Sequence, residues 1–215
     1  MSRTIRVARP RLVIATRSPH KLRELRELLD LERADLVSLD ELGVPDDPVE
    51  DGLTFETNAR IKARHAAAAT GLPSLADDSG IEVDALGGRP GVRTRRYAGE
   101  DATDADNNAK LLEELGLLPP ERRGARYVCV LAFAMPSREI GERPPLLTAR
   151  GTCRGRIAFE PKGTGGFGYD PIFEPSSEPP GGRTLGLWSA AEKHAISHRA
   201  RAARRMSRRL VALGF

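Results

Sequence analysis

Arg11 to Thr16 (RLVIAT) is a short apolar run rich in β-branched residues. After a turn at Arg17 to His20, Leu22, Leu25, Leu28 and Leu29 recur at helical spacing within Lys21 to Leu31. A chain that opens strand, loop, helix is starting a βαβ unit, so its helices must cover a sheet. The remaining punctuation agrees. A second strand is predicted near Leu36 to Leu39, and Thr54 can cap a helix from Phe55 to about Thr70 with Ile61, His65, Ala68 and Ala69 on one face. Apolar Ile81, Val83 and Ala85 alternate with Glu82 and Asp84, which predicts a hairpin turning on Asp77-Asp78-Ser79-Gly80. Thr103 with Asp106 forms a capping box for a helix running to Leu115, where Gly116 stops it. Tyr127 to Met135 and Leu147 to Ile157 are long strand candidates around a Pro-rich turn, and Pro175 to Gly182 reads as a surface loop. Ser189 with Glu192 is a second capping box, opening a basic C-terminal helix. The expected fold is α/β, a mixed sheet with helices on its faces.

No repeat or clear linker divides the 215 residues, so a single domain spanning 1–215 is expected. No window approaches the roughly 18 consecutive apolar residues of a membrane span, and MSRTIRVARP lacks the apolar core of a secretory signal. A soluble, cytoplasmic protein with no membrane partner follows as the expectation. Cys129 and Cys153 lack metal-ligand spacing and read as reduced small hydrophobes.

The net charge of +4 is unevenly placed: Glu192 to Phe215 carries seven basic residues against one acid. Such a run is a solvated helix face or an anion-binding element. The cations comprise 29 arginines and 5 lysines, so each lysine merits attention.

Four segments carry candidate chemistry. Thr16-Arg17-Ser18-Pro19-His20-Lys21 lies between the first strand and helix, where backbone N–H groups and a nearby cation make an anion site. The alternative is an ordinary capped turn with Lys21 in solvent. Glu50-Asp51 and Asp77-Asp78 are acidic pairs, whose oxygens suit a hard ion such as Mg²⁺ and whose mutual repulsion calls for a cation. Adjacent strand residues face opposite ways, so one of Asp77 and Asp78 is expected to enter a site. The competing reading of Asp-Asp-Ser-Gly is a turn whose side chains cap backbone amides. Gly163 to Asp170 (GTGGFGYD) combines glycines that permit close backbone approach with two aromatics able to stack, in either a ligand loop or a structural turn. Lys193, His194, His198 and Arg199 follow the Ser189 cap. Lys193 and His198 are five residues apart, so one straight helix does not bring them together.

In combination these segments resemble the inosine triphosphate pyrophosphatase family. The resemblance runs through T-x-x-x-x-K at Thr16 to Lys21, E-D-G-L-T-F-x-x-N-A-x-x-K-A at Glu50 to Ala63, L-A-D-D-S-G-I-E-V-D-A-L-G-G-x-P-G-V at Leu75 to Val92, R-Y-A-G at Arg96 to Gly99, G-T-G-G-F-G-Y-D-P-I-F, and K-x-A-I-S-H-R. It implies an elongated, two-lobed fold with a central twisted mixed sheet flanked by helices, a cleft between the lobes, and a homodimer. It implies hydrolysis of dITP, ITP or XTP/dXTP to the monophosphate and pyrophosphate. By resemblance, Thr16, Arg17, Ser18, Pro19, His20, Lys21 and Lys62 surround the phosphates, and Glu50 and Asp78 hold Mg²⁺, with Asp78 also the proton acceptor. Ser79 touches substrate; Phe167, Gly168, Tyr169 and Asp170 form the base pocket, with Phe167 stacked on the purine. Lys193, His198 and Arg199 close over the base and favour a 6-keto purine. The chain departs from the family pattern at Ser18, where asparagine is usual, at Leu185 to Trp188, a more polar stretch elsewhere, and at Ala200, usually glycine. A related pyrophosphatase acting on a modified pyrimidine or dUTP is the alternative. A nucleic-acid-binding module using the C-terminal arginines is a remoter one, and the resemblance implies no nucleic-acid partner.

Overall fold

The computed structural model describes residues 9–137 and 144–215. Six strands form one sheet: β1 (Arg11–Ala15), β2 (Asp35–Ser38), β3 (Ser74–Val83), β4 (Gly124–Ala134), β5 (Leu146–Ile157) and β6 (Phe173–Pro175), in the order β2-β1-β3-β4-β5-β6. β1 is parallel to β2 and β3, whereas β3, β4, β5 and β6 pair antiparallel. The mixed sheet expected from the sequence is therefore observed. Among the described residues no helix is long and apolar enough to cross a membrane.

Leu12 to Ala15 are all buried because β1 is covered on both faces. On one face lies α2 (Phe55–Thr70), capped by Thr54 and ended by Gly71 at φ 65°. Its Ala59, Ala63 and Ala66 present almost no side-chain bulk, and pack on Val13, Ala76, Val130 and Ala132. On the other face α1 (Pro19–Leu28) and α5 (His198–Ala212) bury Leu25, Ala203, Met206 and Leu210 against Leu12, Ile14, Leu75 and Phe133. A further core forms toward the opposite end of β3, β4 and β5, where Ile81, Tyr127, Cys153 and Ile157 meet Leu111 and Leu115 of α3 (Asp104–Leu115). The long strands thus carry three separate bodies of core, two on opposite faces at one end and the third toward the other.

The Asp-Asp-Ser-Gly segment departs from its expected hairpin turn. β3 runs unbroken through it, pairing Asp77 with Leu131, Asp78 with Val130, Ser79 with Cys129 and Gly80 with Val128. Turn chemistry was outweighed because β4 supplies a complete ladder and nearby cations offset the buried carboxylates. Glycine at position 80 is required for close approach, since a β-carbon there would fall 2.8 Å from Gly91 O. The Pro-rich turn after β4 falls partly outside the described residues.

The basic C-terminal region is two helices, α4 (Ala190–Ile196) and α5, separated by Ser197 in an extended conformation. The Ser197 hydroxyl accepts a hydrogen bond from Ala200 N at 3.1 Å and so starts the second helix. This break supplies the geometry that a straight helix lacks for Lys193 and His198. Nor are the later arginines simply solvated. Arg201 and Arg209 donate to Thr152 O and Thr148 O, each at 2.7 Å, and Arg205 donates to Arg150 O. β6 pairs with β5 over Gly155 to Ile157, so these guanidinium groups serve the stretch of β5 that β6 does not reach. Gly151 lets α5 lie close, because a β-carbon there would fall 2.5 Å from Ala202 N.

Candidate active site

The loop after β1, the start of α2, the middle of β3 and the 163–170 loop border one cavity of about 690 Å³. Ser18 caps α1, accepting from Lys21 N at 3.4 Å, with Pro19 in the first turn. Thr16 accepts from Ser18 N at 3.3 Å. All six residues from Thr16 to Lys21 line the cavity, but Arg17 and Lys21 are already engaged. Arg17 is paired with Asp40 and with Asp47 at 3.2 Å, and donates to Val44 O at 2.6 Å, tethering the 40–47 segment. Lys21 Nζ lies 3.2 Å from Asp77 Oδ1, an ion pair whose angles fall outside hydrogen-bond geometry.

Alternation along β3 separates the two aspartates. Asp78 lines the cavity; Asp77 turns away and is 1% exposed. Asp77 faces Lys21 and Arg199 and accepts from the Ser79 hydroxyl at 3.0 Å. Burial raises its pKa, and Lys21, Arg199 and Lys62 outweigh that effect, holding it well below the usual carboxylate range. Asp78 is displaced the opposite way: burial raises its pKa further than Lys62 and Lys21 lower it. Two neighbouring carboxylates are thereby divided into a fixed counter-ion and a better proton acceptor.

Lys62, on α2, places Nζ 2.9 Å from Asp78 Oδ1 and 3.2 Å from Glu50 Oε2. Burial disfavours its charge, and Asp78, Asp77 and Glu50 outweigh this and raise its pKa. Glu50 is kept near by Gly52 N, which donates to Asn58 Oδ1 at 2.8 Å on the first turn of α2. Among the described residues no group of three His, Cys, Asp or Glu could hold a metal ion. Glu50 and Asp78 are nevertheless hard oxygen donors converging on one cation, and buried Asp78 Oδ2 has no hydrogen-bond partner. This fits an ion such as Mg²⁺, which takes one or two carboxylates and completes its shell with phosphate oxygens and water.

At the other end of the cavity, Asp170 organises the base-pocket residues. Its Oδ2 accepts from Lys193 Nζ at 2.7 Å and Phe167 N at 3.0 Å, and its Oδ1 from the Tyr127 hydroxyl at 3.2 Å. Gly168 N donates to Asp104 at 2.6 Å, Gly168 O accepts from Asn108 at 3.1 Å, and the Tyr169 hydroxyl donates to Thr94 O at 2.8 Å. The Phe167 ring is stacked on His20, centroids 5.2 Å apart, with Lys193 Nζ 4.5 Å from the ring centroid. His20 thus belongs to this end of the cavity rather than to the Lys62 end.

His198 is buried and stacked on Tyr127 at 4.7 Å and 7°. Burial, Arg199 and Lys193 drive its pKa well below the ordinary histidine value, so the imidazole is neutral at pH 7. Arg199 is fully enclosed, donating to Ser79 Oγ at 3.0 Å and paired with Glu24 and Asp77. Its two terminal nitrogens are therefore committed within the protein.

Sequence reasoning did not find Glu24, Tyr127, Thr94, Asp104 or Asn108. Glu24 pairs with both Lys193 and Arg199, yet its one sequence signal is its position a turn after Lys21 on α1. Tyr127 reads as an ordinary strand aromatic, and Asp104 as part of a capped first turn.

The sequence model of the Ham1 family matches residues 12–209. A dITP/XTP pyrophosphatase of Shigella flexneri is 50% identical over 192 residues, 89% of this chain and 93% of that protein. One from Mycolicibacterium paratuberculosis is 48% identical over 196 residues, 90% of this chain and 92% of the relative. Among solved structures, a HAM1 protein from Coxiella burnetii superposes with a TM-score of 0.82 at 44% identity, covering 94% of this chain and 99% of the other. The Staphylococcus aureus Ham1 protein gives 0.80 at 36% identity, covering 94% and 98%.

Proposed function

The chain belongs to the Ham1 family, and from that membership we propose that it hydrolyses dITP, ITP and XTP/dXTP to the nucleoside monophosphate and pyrophosphate. It would act in the cytoplasm, as a homodimer, to remove non-standard purine nucleotides. The observation that carries the reading is the divided placement of two adjacent carboxylates: Asp78 faces the cavity beside Lys62 and Glu50, whereas Asp77 is turned inward onto Lys21 and Arg199. Water attacks the α-phosphorus and forms the new P–O bond. Its proton passes to Asp78, and the bond from the α-phosphorus to the bridging oxygen breaks, releasing pyrophosphate.

Glu50 and Asp78 would hold Mg²⁺, which supplies positive charge against the triphosphate when bound. Lys62 and Lys21 add mobile point charges on the same side of the site, better matched to a crowded triphosphate than a planar fork. Phe167 offers an aromatic face to the purine. Lys193 commits donors to Asp170 and Glu24 and retains a third proton for a 6-keto oxygen, beside a neutral His198. Adenine presents an amino group at that position and is disfavoured by such a donor.

Purified protein supplied with Mg²⁺ and a panel of dITP, ITP, XTP, GTP, dATP and dUTP should release pyrophosphate fastest, by kcat/KM, from the first three. Absence of pyrophosphate release from all three overturns the assignment. Preference for dUTP or a modified pyrimidine would move the chain to a different base specificity within the same chemistry.

A further inference from the structure

We propose that Lys62 Nζ is the resident cation of the Glu50–Asp78 site, and that the divalent ion enters as a metal–triphosphate chelate that takes the ammonium's place. The inference rests on the reading of Glu50 and Asp78 as metal ligands. Lys62 bridges those two carboxylates at 3.2 and 2.9 Å, and its side chain is 14% exposed. The backbone positions of all three residues are set by the fold, and the lysine side chain is the movable member. Lys62 is in the second turn of a well-capped helix, Asp78 lies inside a paired strand, and Glu50 precedes a loop pinned to Asn58.

A metal–oxygen bond in such a site is about 2.0–2.1 Å, shorter than the ammonium contacts, so a divalent ion and the ammonium would compete for the same carboxylate oxygens. Both together would place like charges within a few ångströms in a partly buried pocket. Two protein carboxylates without a third ligand do not offset that repulsion. The triphosphate does: it completes the ion's coordination shell and gives Lys62 new anionic oxygens to bind. Metal and nucleotide affinities are then coupled, each raising the other by the same factor.

The test is Mn²⁺ binding to the full chain, measured by titration calorimetry and by the loss of the free-ion EPR signal, with and without α,β-methylene-ITP. With the Mn²⁺ held by the analogue alone measured without protein and subtracted, the nucleotide analogue should tighten Mn²⁺ binding to the unmodified protein by at least about tenfold. Lys62→Met should tighten Mn²⁺ binding without nucleotide by a similar factor, Lys62→Arg should not, and adding Glu50→Gln to Lys62→Met should remove the gain. Equal Mn²⁺ affinity with and without the analogue in the unmodified protein overturns the exchange. So does a Lys62→Met protein that binds Mn²⁺ no tighter while Glu50→Gln still weakens the ternary complex; the metal-ligand reading then survives alone. If Glu50→Gln changes Mn²⁺ affinity in neither state, the ligand reading fails and the exchange with it. Should Lys62→Met fail to unfold cooperatively, Lys62→Gln is read in the same way.

Discussion

Glu24 on α1 lies 3.1 Å from Lys193 on α4, and its second oxygen is paired with Arg199 on α5. One carboxylate therefore joins the helix that begins at Ser18 to both elements at the base end of the cavity. Burial raises the Glu24 pKa, and Arg199 and Lys193 outweigh it and keep the group ionised. Glu24→Gln preserves the shape and removes the charge, leaving two buried cations undercompensated. We expect KM for ITP to rise about tenfold with a smaller change in kcat, and stability to fall by about 2 kcal/mol. Steady-state kinetics and urea unfolding check both, and a pure stability loss with unchanged KM would reduce Glu24 to a packing role.

The two aspartates should fail differently. Asp78→Asn removes the proton acceptor and should lower kcat by at least about 100-fold, while α,β-methylene-ITP still binds. Asp77→Asn instead leaves Lys21 and Arg199 facing a neutral group and should cost about 3–5 kcal/mol of stability. Because burial raises the Asp78 pKa, the acid limb of kcat/KM should fall at a pH above the ordinary aspartate value of 3.8. A chemical-denaturation series beside a pH–rate profile separates these effects.

His198 gives a second pH dependence with a definite sign. Its folded pKa lies well below the ordinary value of 6.5, so the unfolded chain binds a proton that the native protein does not. Stability contributed by the neutral ring is complete above that value, and declines as pH falls from about 6.5 toward the lower folded pKa. Urea midpoints at pH 7.5, 6.5 and 5.5 should decrease in that order. His198→Gln should flatten the decrease, and an equal slope in the variant would remove His198 as its source.

His20 covers the ring that the purine is proposed to use. Centroids 5.2 Å apart leave no room for a third ring, so a nucleotide stacking on that side must displace His20. An aromatic pair is worth about 0.5–1.5 kcal/mol, and His20→Ala should therefore lower KM for ITP by roughly two- to tenfold at constant kcat. A raised KM would show that His20 instead closes on the base.

Local signals served well wherever they also governed the fold. Thr54, Thr103 and Ser189 cap helices in the structure as their sequence contexts suggest, because capping is settled within one turn of chain. Alternation along a strand also anticipated that Asp77 and Asp78 would part company. The Asp-Asp-Ser-Gly hairpin was misread because the ladder to β4 and the cations Lys21, Lys62 and Arg199 come from 16 to 122 residues away in the chain. Glu24 was hidden for the same reason: its partners are 169 and 175 positions downstream. Ser197 lies in a stretch without proline or glycine, so the break between α4 and α5 carried little compositional signal.

The arginines of α5 have a consequence for assembly. A strand edge with free carbonyls is a template on which another chain can build. Arg201, Arg205 and Arg209 occupy such carbonyls along β5 with side chains that recur every fourth residue, one per helical turn. The helix thus acts as a comb laid along the sheet margin, terminating its growth without adding a strand. Each of these guanidinium groups gives one nitrogen to the sheet, so the most basic stretch of the sequence helps set the width of its own sheet.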